Sequence, residues 1–355
     1  MALSKKQHSE IKEELDSCKN PLFFFDDDQD GLCAFLLFYR YKKEGHGIVV
    51  KTSPRIENLV MNKISEYAPD KVFILDVAAS ETGFLDQIKV PVVWVDHHGQ
   101  SKIENAKYYN PRISKAKDNY PTSFMCYNVV KQGLKASDAE YLMYLWIATI
   151  GAVADWFVPK YLKEFIKEYP GIVEAASKNP GDIIYNSRLG KLIRIFSFIL
   201  KGRHNEVMKS VKTLTRIKSP YDILDQKTPE GKYIYSVYLE VNKIYEPILK
   251  EALDTVKKAE GKLAVYAYKD DKNAFTSDIS NEAIYRFPEK VIFIAREKND
   301  EMKCSLRSSK INMIPLIEKS LAGLNGFGGG HENACGMNIK KADFDEFLRR
   351  FEEMV

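Results

Sequence analysis

The chain has 355 residues, 45% hydrophobic and 29% charged, with a net charge of +4. These values suit a globular protein long enough for two domains, and no apolar run approaches the ~18 residues of a membrane span. The five cysteines, Cys18, Cys33, Cys126, Cys304 and Cys335, are odd in number and lack a CxxC pair, which argues against a disulfide framework and a zinc-thiolate site.

The first segment, MALSKKQHSEIKEELDSCKN, reads as a charged helix without the apolar core of a signal peptide, so a cytoplasmic location with no membrane association is expected. Strand and helix patterns then alternate: PLFFF and a helix from about Gly31, GIVVK and a helix near Ile56 to Tyr67, KVFILD and a short helix, then VPVVWVD. Short apolar strands separated by amphipathic helices indicate a parallel sheet covered on both faces. In such a sheet ligands sit at the carboxyl ends of the strands. Three of the four strands end in acids: Asp26, Asp27, Asp28 and Asp30 after the first, Asp76 after the third and Asp96 after the fourth. Solvated turns would also use aspartate, but without preferring one edge of the sheet.

The fourth strand runs into His97 and His98. Carboxylate with imidazole and no thiolate suits the harder divalent ions, notably Mn²⁺. Adjacent side chains on an extended chain point opposite ways, so the two histidines are expected to do different jobs. Helical patterns follow from about Pro121 to Leu200, among them AEYLMYLWIATIGAVADWF, which ends near Asp155. A carboxylate closing so apolar a helix calls for a partner or a metal, unless it is a helix-terminal turn residue. From Arg188 to Lys218 nine basic residues face one acid, Glu206. Arg188, Lys191 and Arg194, and again Lys209, Lys212 and Arg216, recur at helical spacing. Each trio reads as a solvated helix face or as a track for a phosphate backbone.

Residues from about 219 to 260 carry Pro220, Pro229 and Pro247 and read as part of a connector. Then KLAVYAY, KVIFIAREK and MKCSLRSS look like strands of a smaller α/β domain that ends in GLNGFGGGHENACGMNI and an amphipathic helix. Gly328, Gly329 and Gly330 would let backbone N–H groups approach a phosphate, with Arg307 and His331 adding donors, although a glycine triplet is also an ordinary flexible loop. The expected division is a catalytic domain over 1–200, a helical connector over 201–260 and a substrate-binding domain over 261–355.

In order and spacing, DDDQDG, LDVAAS, VDHHG and GAVADWF resemble the four motifs of the DHH phosphoesterase superfamily, while SLRSS and GGGHENACG resemble its C-terminal substrate-binding domain. The first motif and YNPRIS are most similar to the RecJ-like exonuclease branch, in its shorter archaeal-type form. The resemblance implies two Mn²⁺ or Mg²⁺ ions held by Asp28, Asp30, Asp76, His97 and Asp155, with Asp76 bridging and Asp26 as a further ligand or outer acid. His98 would orient the site or transfer a proton. Arg307, Ser308, Gly328, Gly329, Gly330 and His331 would hold substrate in a cleft between the domains. The implied activity is exonuclease action on single-stranded DNA or RNA, with replication or repair proteins as partners. Hydrolysis of very short oligonucleotides or of linear and cyclic dinucleotides, and a catalytically silent replication-factor partner, are the alternatives.

Overall fold

A computed structural model describes residues 3–51, 56–78, 83–99, 103–270 and 272–355, with Ile56 as backbone only. The chain divides into two compact units, 1–238 and 239–355. The boundary falls inside a 30-residue helix, Pro229–Lys258, which accommodates Pro247. Residues 201–260, expected as a connector, are thus shared between the units. Residues 201–224 add the helices His204–Leu214 and Pro220–Leu224 to the first. Pro220 stands at the start of its helix and Pro229 opens the long one, positions where proline is readily accommodated.

The first unit is built on strands β1 (Pro21–Asp26), β2 (His46–Val50), β3 (Lys71–Leu75), β4 (Val92–Val95) and β5 (Lys107–Tyr109). They form one parallel sheet in the order β2-β1-β3-β4-β5. β1 lies between β2 and β3, and its three phenylalanines are fully buried, Phe23 stacking on Phe73 at 5.2 Å. β5 has only three residues and no apolar run, so it went unread in the sequence. The helix Gln29–Lys42 packs against two further apolar helices, Thr122–Val130 and Ala139–Ala154. Its start lies against the end of β1: a Cβ on Gly31 would come within 2.7 Å of the Asp26 backbone N, so glycine is required for the turn from strand to helix to close.

The second unit holds β6 (Leu263–Lys269), β7 (Val291–Lys298), β8 (Glu301–Ser308), β9 (Gly326–His331) and β10 (Ala334–Lys340), in the order β6-β7-β8-β10-β9. Only β6 and β7 are parallel. One face buries Phe293 against Phe344, Phe347 and Phe351 of the last helix. On the other, the helix Thr276–Arg286 covers β7 and β8. The glycine run read as a loop is the edge strand β9, because its backbone pairs in register with β10. The whole is an α/β protein with a parallel-sheet unit followed by a smaller mixed-sheet unit.

Candidate metal centre

In the order β2-β1-β3 the direction of winding reverses between β1 and β3, the place where open parallel sheets bind ligands. Asp26 ends β1 and Asp76 follows β3, so both stand at that crevice. Asp76 has φ +63°, a left-handed conformation that aspartate tolerates better than most side chains. Its N–H donates to Val95 O of β4 at 2.9 Å, which ties this turn to the strand that delivers His97. Asp28 caps the helix Gln29–Lys42, accepting from Gly31 N at 2.9 Å, and Asp30 lies in that helix's first turn.

Helix N-termini attract negative charge. The backbone N–H groups of Thr122 and Ser123, which open the helix Thr122–Val130, donate to the Asp30 carboxylate at 2.6 and 3.0 Å, and the Ser123 hydroxyl adds a third bond. Thr122 Oγ1 donates to Asp76 Oδ1 at 2.8 Å. Asp155 arrives as the C-cap of the helix Ala139–Ala154. Of the expected residues, the fold brings together Asp30, Asp76, His97 and Asp155 and adds His98. Two overlapping sets, Asp76 with His97 and His98, and Asp30 with His97 and Asp155, each place their ligand atoms within 4.8 Å of one another. His97 is the member common to both.

His97 Nδ1 meets Asn119 Oδ1 at 2.9 Å, and Nε2 lies 3.3 Å from Asp76 Oδ1. With Nδ1–H donating to Asn119, Nε2 presents its lone pair towards Asp76, as a metal-ligating imidazole does, while Asp155 Oδ2 lies 3.8 Å from Nδ1. Asp96 is fully buried; its Oδ1 accepts from His98 Nδ1 at 2.7 Å and from the His98 backbone N–H at 3.2 Å. Tyr108 donates to Asp96 Oδ2 at 3.1 Å, and Asn110 Nδ2 holds both Tyr108 Oη and His98 O.

The electrostatics identify what the site lacks. Burial, reinforced by Asp28 and Asp27, pushes the Asp26 carboxyl well above the usual carboxylate range. Burial together with Asp30, Asp28 and Asp26 does the same to Asp76. Burial raises Asp155 to about 7, against the opposing pull of His97. Buried oxygens Asp26 Oδ1, Asp76 Oδ2 and Asp155 Oδ2 accept no hydrogen bond from the described residues. Mutually repelling carboxylates with enclosed, unmatched oxygens fit divalent cations, which supply the missing positive charge.

Three partners escaped the sequence reading: Asn119, Thr122 and Ser123. Arg112, whose Nη2 donates to Asn119 Oδ1 at 2.8 Å, escaped it too. The sole signal was Pro121, which stands directly before the first residue of a helix. Ala79 and Ser80 of LDVAAS lie outside the described residues.

In the second unit Arg307, Ala334 and His331 stand in register across β8, β10 and β9, so their side chains share a face. On it His331 is exposed, and Gly328, Gly329 and Gly330 are exposed along the same strand. Arg307 Nε donates to Asn281 Oδ1 at 2.7 Å. Ser308 Oγ accepts from Ile311 N at 3.0 Å, so this hydroxyl holds its own turn. In the basic segment, Arg188 pairs with Asp225, Lys191 lies over the Tyr235 ring and Lys209 over Tyr233. Lys212 lines a cavity of about 350 Å³ with Gly45, His46 and Gly47, near the amino end of β2, the opposite edge of the sheet from the carboxylates. Arg216 is exposed beyond the end of its helix, and Arg194 is half-buried. Lys201 of this segment, together with Lys51, acts electrostatically on the acid cluster, both favouring the charged form of Asp27.

Fold and site together define a carboxylate–histidine metal centre at the switch point of a parallel α/β sheet, followed by a mixed-sheet unit. The family model described as the DHH family N-terminal domain matches residues 22–152, and the DHHA1 domain matches residues 260–355. The chain belongs to the DHH phosphoesterase superfamily, and its fold is RecJ-like. It is similar to RecJ in complex with Mn²⁺ from Thermus thermophilus, with TM-score 0.73 and 16% identity over 98% of this chain and 54% of that one. The chain therefore spans about half the length of that protein. An exonuclease RecJ bound to manganese matches over 100% of this chain and 94% of its own, with TM-score 0.63 and 16% identity. CDC45 from Entamoeba histolytica matches over 99% of each chain, with TM-score 0.52 and 9% identity. No curated protein sequence matches the chain. No helix among the described residues is long and apolar enough to cross a membrane.

Proposed function

We propose that the protein is a metal-dependent phosphodiesterase that removes nucleotides from an end of single-stranded DNA or RNA. The observation that carries this reading is the set of buried, unmatched carboxylate oxygens of Asp26, Asp76 and Asp155 at the switch point. Asp28, Asp30, Asp76, His97 and Asp155 would hold two ions, Mn²⁺ or Mg²⁺, with Asp26 as a further ligand. Two such ions, when bound, polarise the phosphoryl group and lower the pKa of a bound water.

The protein's own groups set the geometry. Asn119 fixes the His97 tautomer; Thr122 and Ser123 hold Asp30 in place. Burial opposes charge on His98, but the Asp96 hydrogen bond and charge raise its proton affinity, so Nε2 is suited to pass a proton to the departing oxygen. Arg307 and His331 grip a neighbouring phosphate, with the glycine strand as a floor that admits close approach. A cytoplasmic setting and replication or repair partners belong to the same reading.

A second reading, hydrolysis of dinucleotides and very short oligomers, is favoured by one observation: Arg188, Lys191 and Lys209 already have acidic or aromatic neighbours in their own unit. A catalytically silent protein has no use for so costly an acid cluster.

The test is incubation with Mn²⁺ and end-labelled DNA and RNA strands from dinucleotides to roughly twenty nucleotides, spanning the usual ~4–16-nucleotide site. Progressive shortening of the longer strands that stops on chelation is expected. Cleavage confined to dinucleotides transfers the assignment to the second reading, and inertness towards every length overturns both.

A further inference from the structure

The chain contains three tryptophans, and they are placed differently. Trp94 and Trp146 are fully buried, and their indole N–H groups donate to Val77 O at 3.0 Å and Lys218 O at 3.2 Å. Trp156 is 40% exposed and follows Asp155 directly. Its backbone has φ +58°. It occupies the position just past the C-cap of the helix Ala139–Ala154, where Trp156 N donates to Val153 O at 3.0 Å and Phe157 N to Ala152 O at 2.9 Å. This is the Schellman arrangement, whose left-handed residue is ordinarily glycine because a Cβ is strained there.

The turn does not need an indole. Its apolar anchor is Phe157, which packs on Tyr120 at 5.4 Å and Phe124 at 5.2 Å. The Trp156 ring meets Tyr185 at 6.4 Å between centroids, tilted by 57°. A strained residue bearing a large, half-open aromatic ring, one peptide from a carboxylate of the metal centre, points to a function for the ring.

We propose that Trp156, supported by Tyr185, is the stacking platform for a nucleobase beside the scissile phosphate, and that it makes the enzyme select strands whose bases are unstacked. This rests on the nuclease reading above, which already specifies single strands, and adds the residue that would hold the base. Every base presents a π-face, so such a platform accepts any sequence but cannot engage a base held in a duplex stack. Trp156 is a positioning residue: it holds the nucleotide, and the acids and histidines act on the phosphate.

The test pairs variants with oligonucleotides carrying one abasic residue at successive positions from each end. Binding is read in EDTA by indole fluorescence or anisotropy, and hydrolysis with Mn²⁺. At one position the wild type is expected to lose roughly 5- to 150-fold in affinity when the base is removed, the range for one stacked base. Trp156→Ala should show the same loss on the intact strand and no further loss at that abasic position. The loss should appear in KM with kcat little changed. Trp156→Phe should recover most of the affinity, and Trp156→Gly should melt higher than Trp156→Ala while binding equally weakly. Identical abasic profiles in wild type and Trp156→Ala, or loss of Mn²⁺ affinity in Trp156→Ala, would overturn the platform while leaving the nuclease reading standing. If the wild type neither binds nor cleaves any strand, both fall.

Discussion

The two units expose their functional residues in opposite ways. The carboxylate centre of the first is enclosed and held by backbone on several sides: the Gly31 turn, the left-handed Asp76 and the helix N-terminus at Thr122 and Ser123. The glycine face of the second lies open on an edge strand, and a Cβ at Gly329 would meet nothing within 4 Å. Charges that must be fixed to fractions of an ångström are built into packed backbone, whereas leaving side chains out keeps a strand face open to close approach.

The strongest way to break that contrast is at the enclosed centre. Asp76→Asn keeps a residue that tolerates the left-handed turn but removes the charge. Hydrolysis with Mn²⁺ should fall by at least about 100-fold, the scale of losing one electrostatic stabiliser in a water-poor site. In EDTA the variant should melt higher than the parent, because the cost of burying that carboxyl beside Asp30, Asp28 and Asp26 is gone, and added Mn²⁺ should raise its melting temperature less than it raises the parent's. Near-normal turnover would remove Asp76 from the site.

On the open face, His331→Ala should lower turnover by roughly 10-fold or more, as expected for one hydrogen bond to a charged group, with Mn²⁺ affinity unchanged by calorimetry. A wild-type rate on every strand length would make the C-terminal sheet a structural element only. Backbone substitutions sharpen the comparison further. Gly31→Ala forces a methyl group against the Asp26 backbone and should cost about 1–3 kcal/mol together with metal affinity. Gly329→Val enters open space and should stay within about 0.5 kcal/mol of the parent in a denaturant melt while still slowing turnover. If Gly329→Val destabilises the protein as Gly31→Ala does, the contrast between the two units is lost.

The smallest expected effect lies in the basic segment. Replacing Lys209, Lys212 and Arg216 by glutamine should flatten the salt dependence of single-strand binding by less than about one unit in log–log slope, whereas three phosphate contacts would give roughly 2. A fall near that value would restore these residues as a track and favour long strands over short ones.

Much of the first unit was legible because acids placed at the carboxyl ends of apolar strands in a parallel sheet must emerge on one edge. That local rule located Asp26, Asp76, His97 and His98 without any knowledge of packing. Asp155 was legible as a charge misplaced at the end of an apolar helix. Asn119, Thr122 and Ser123 were not, because their types are those of ordinary turns and helix starts, and Thr122 reaches Asp30 across 92 residues of chain.

The same distinction explains the glycine run. Composition gave it conformational freedom, whereas register with β10 decided that it would be a strand and that His331 would share a face with Arg307. By itself the sequence determined which strands end in acid and which helices are apolar, since periodicity and strand polarity act over a few residues. Tertiary structure alone decided which imidazole nitrogen faces Asp76, which basic side chains are already engaged and which tryptophan is left exposed, since each depends on a neighbour supplied by a distant segment.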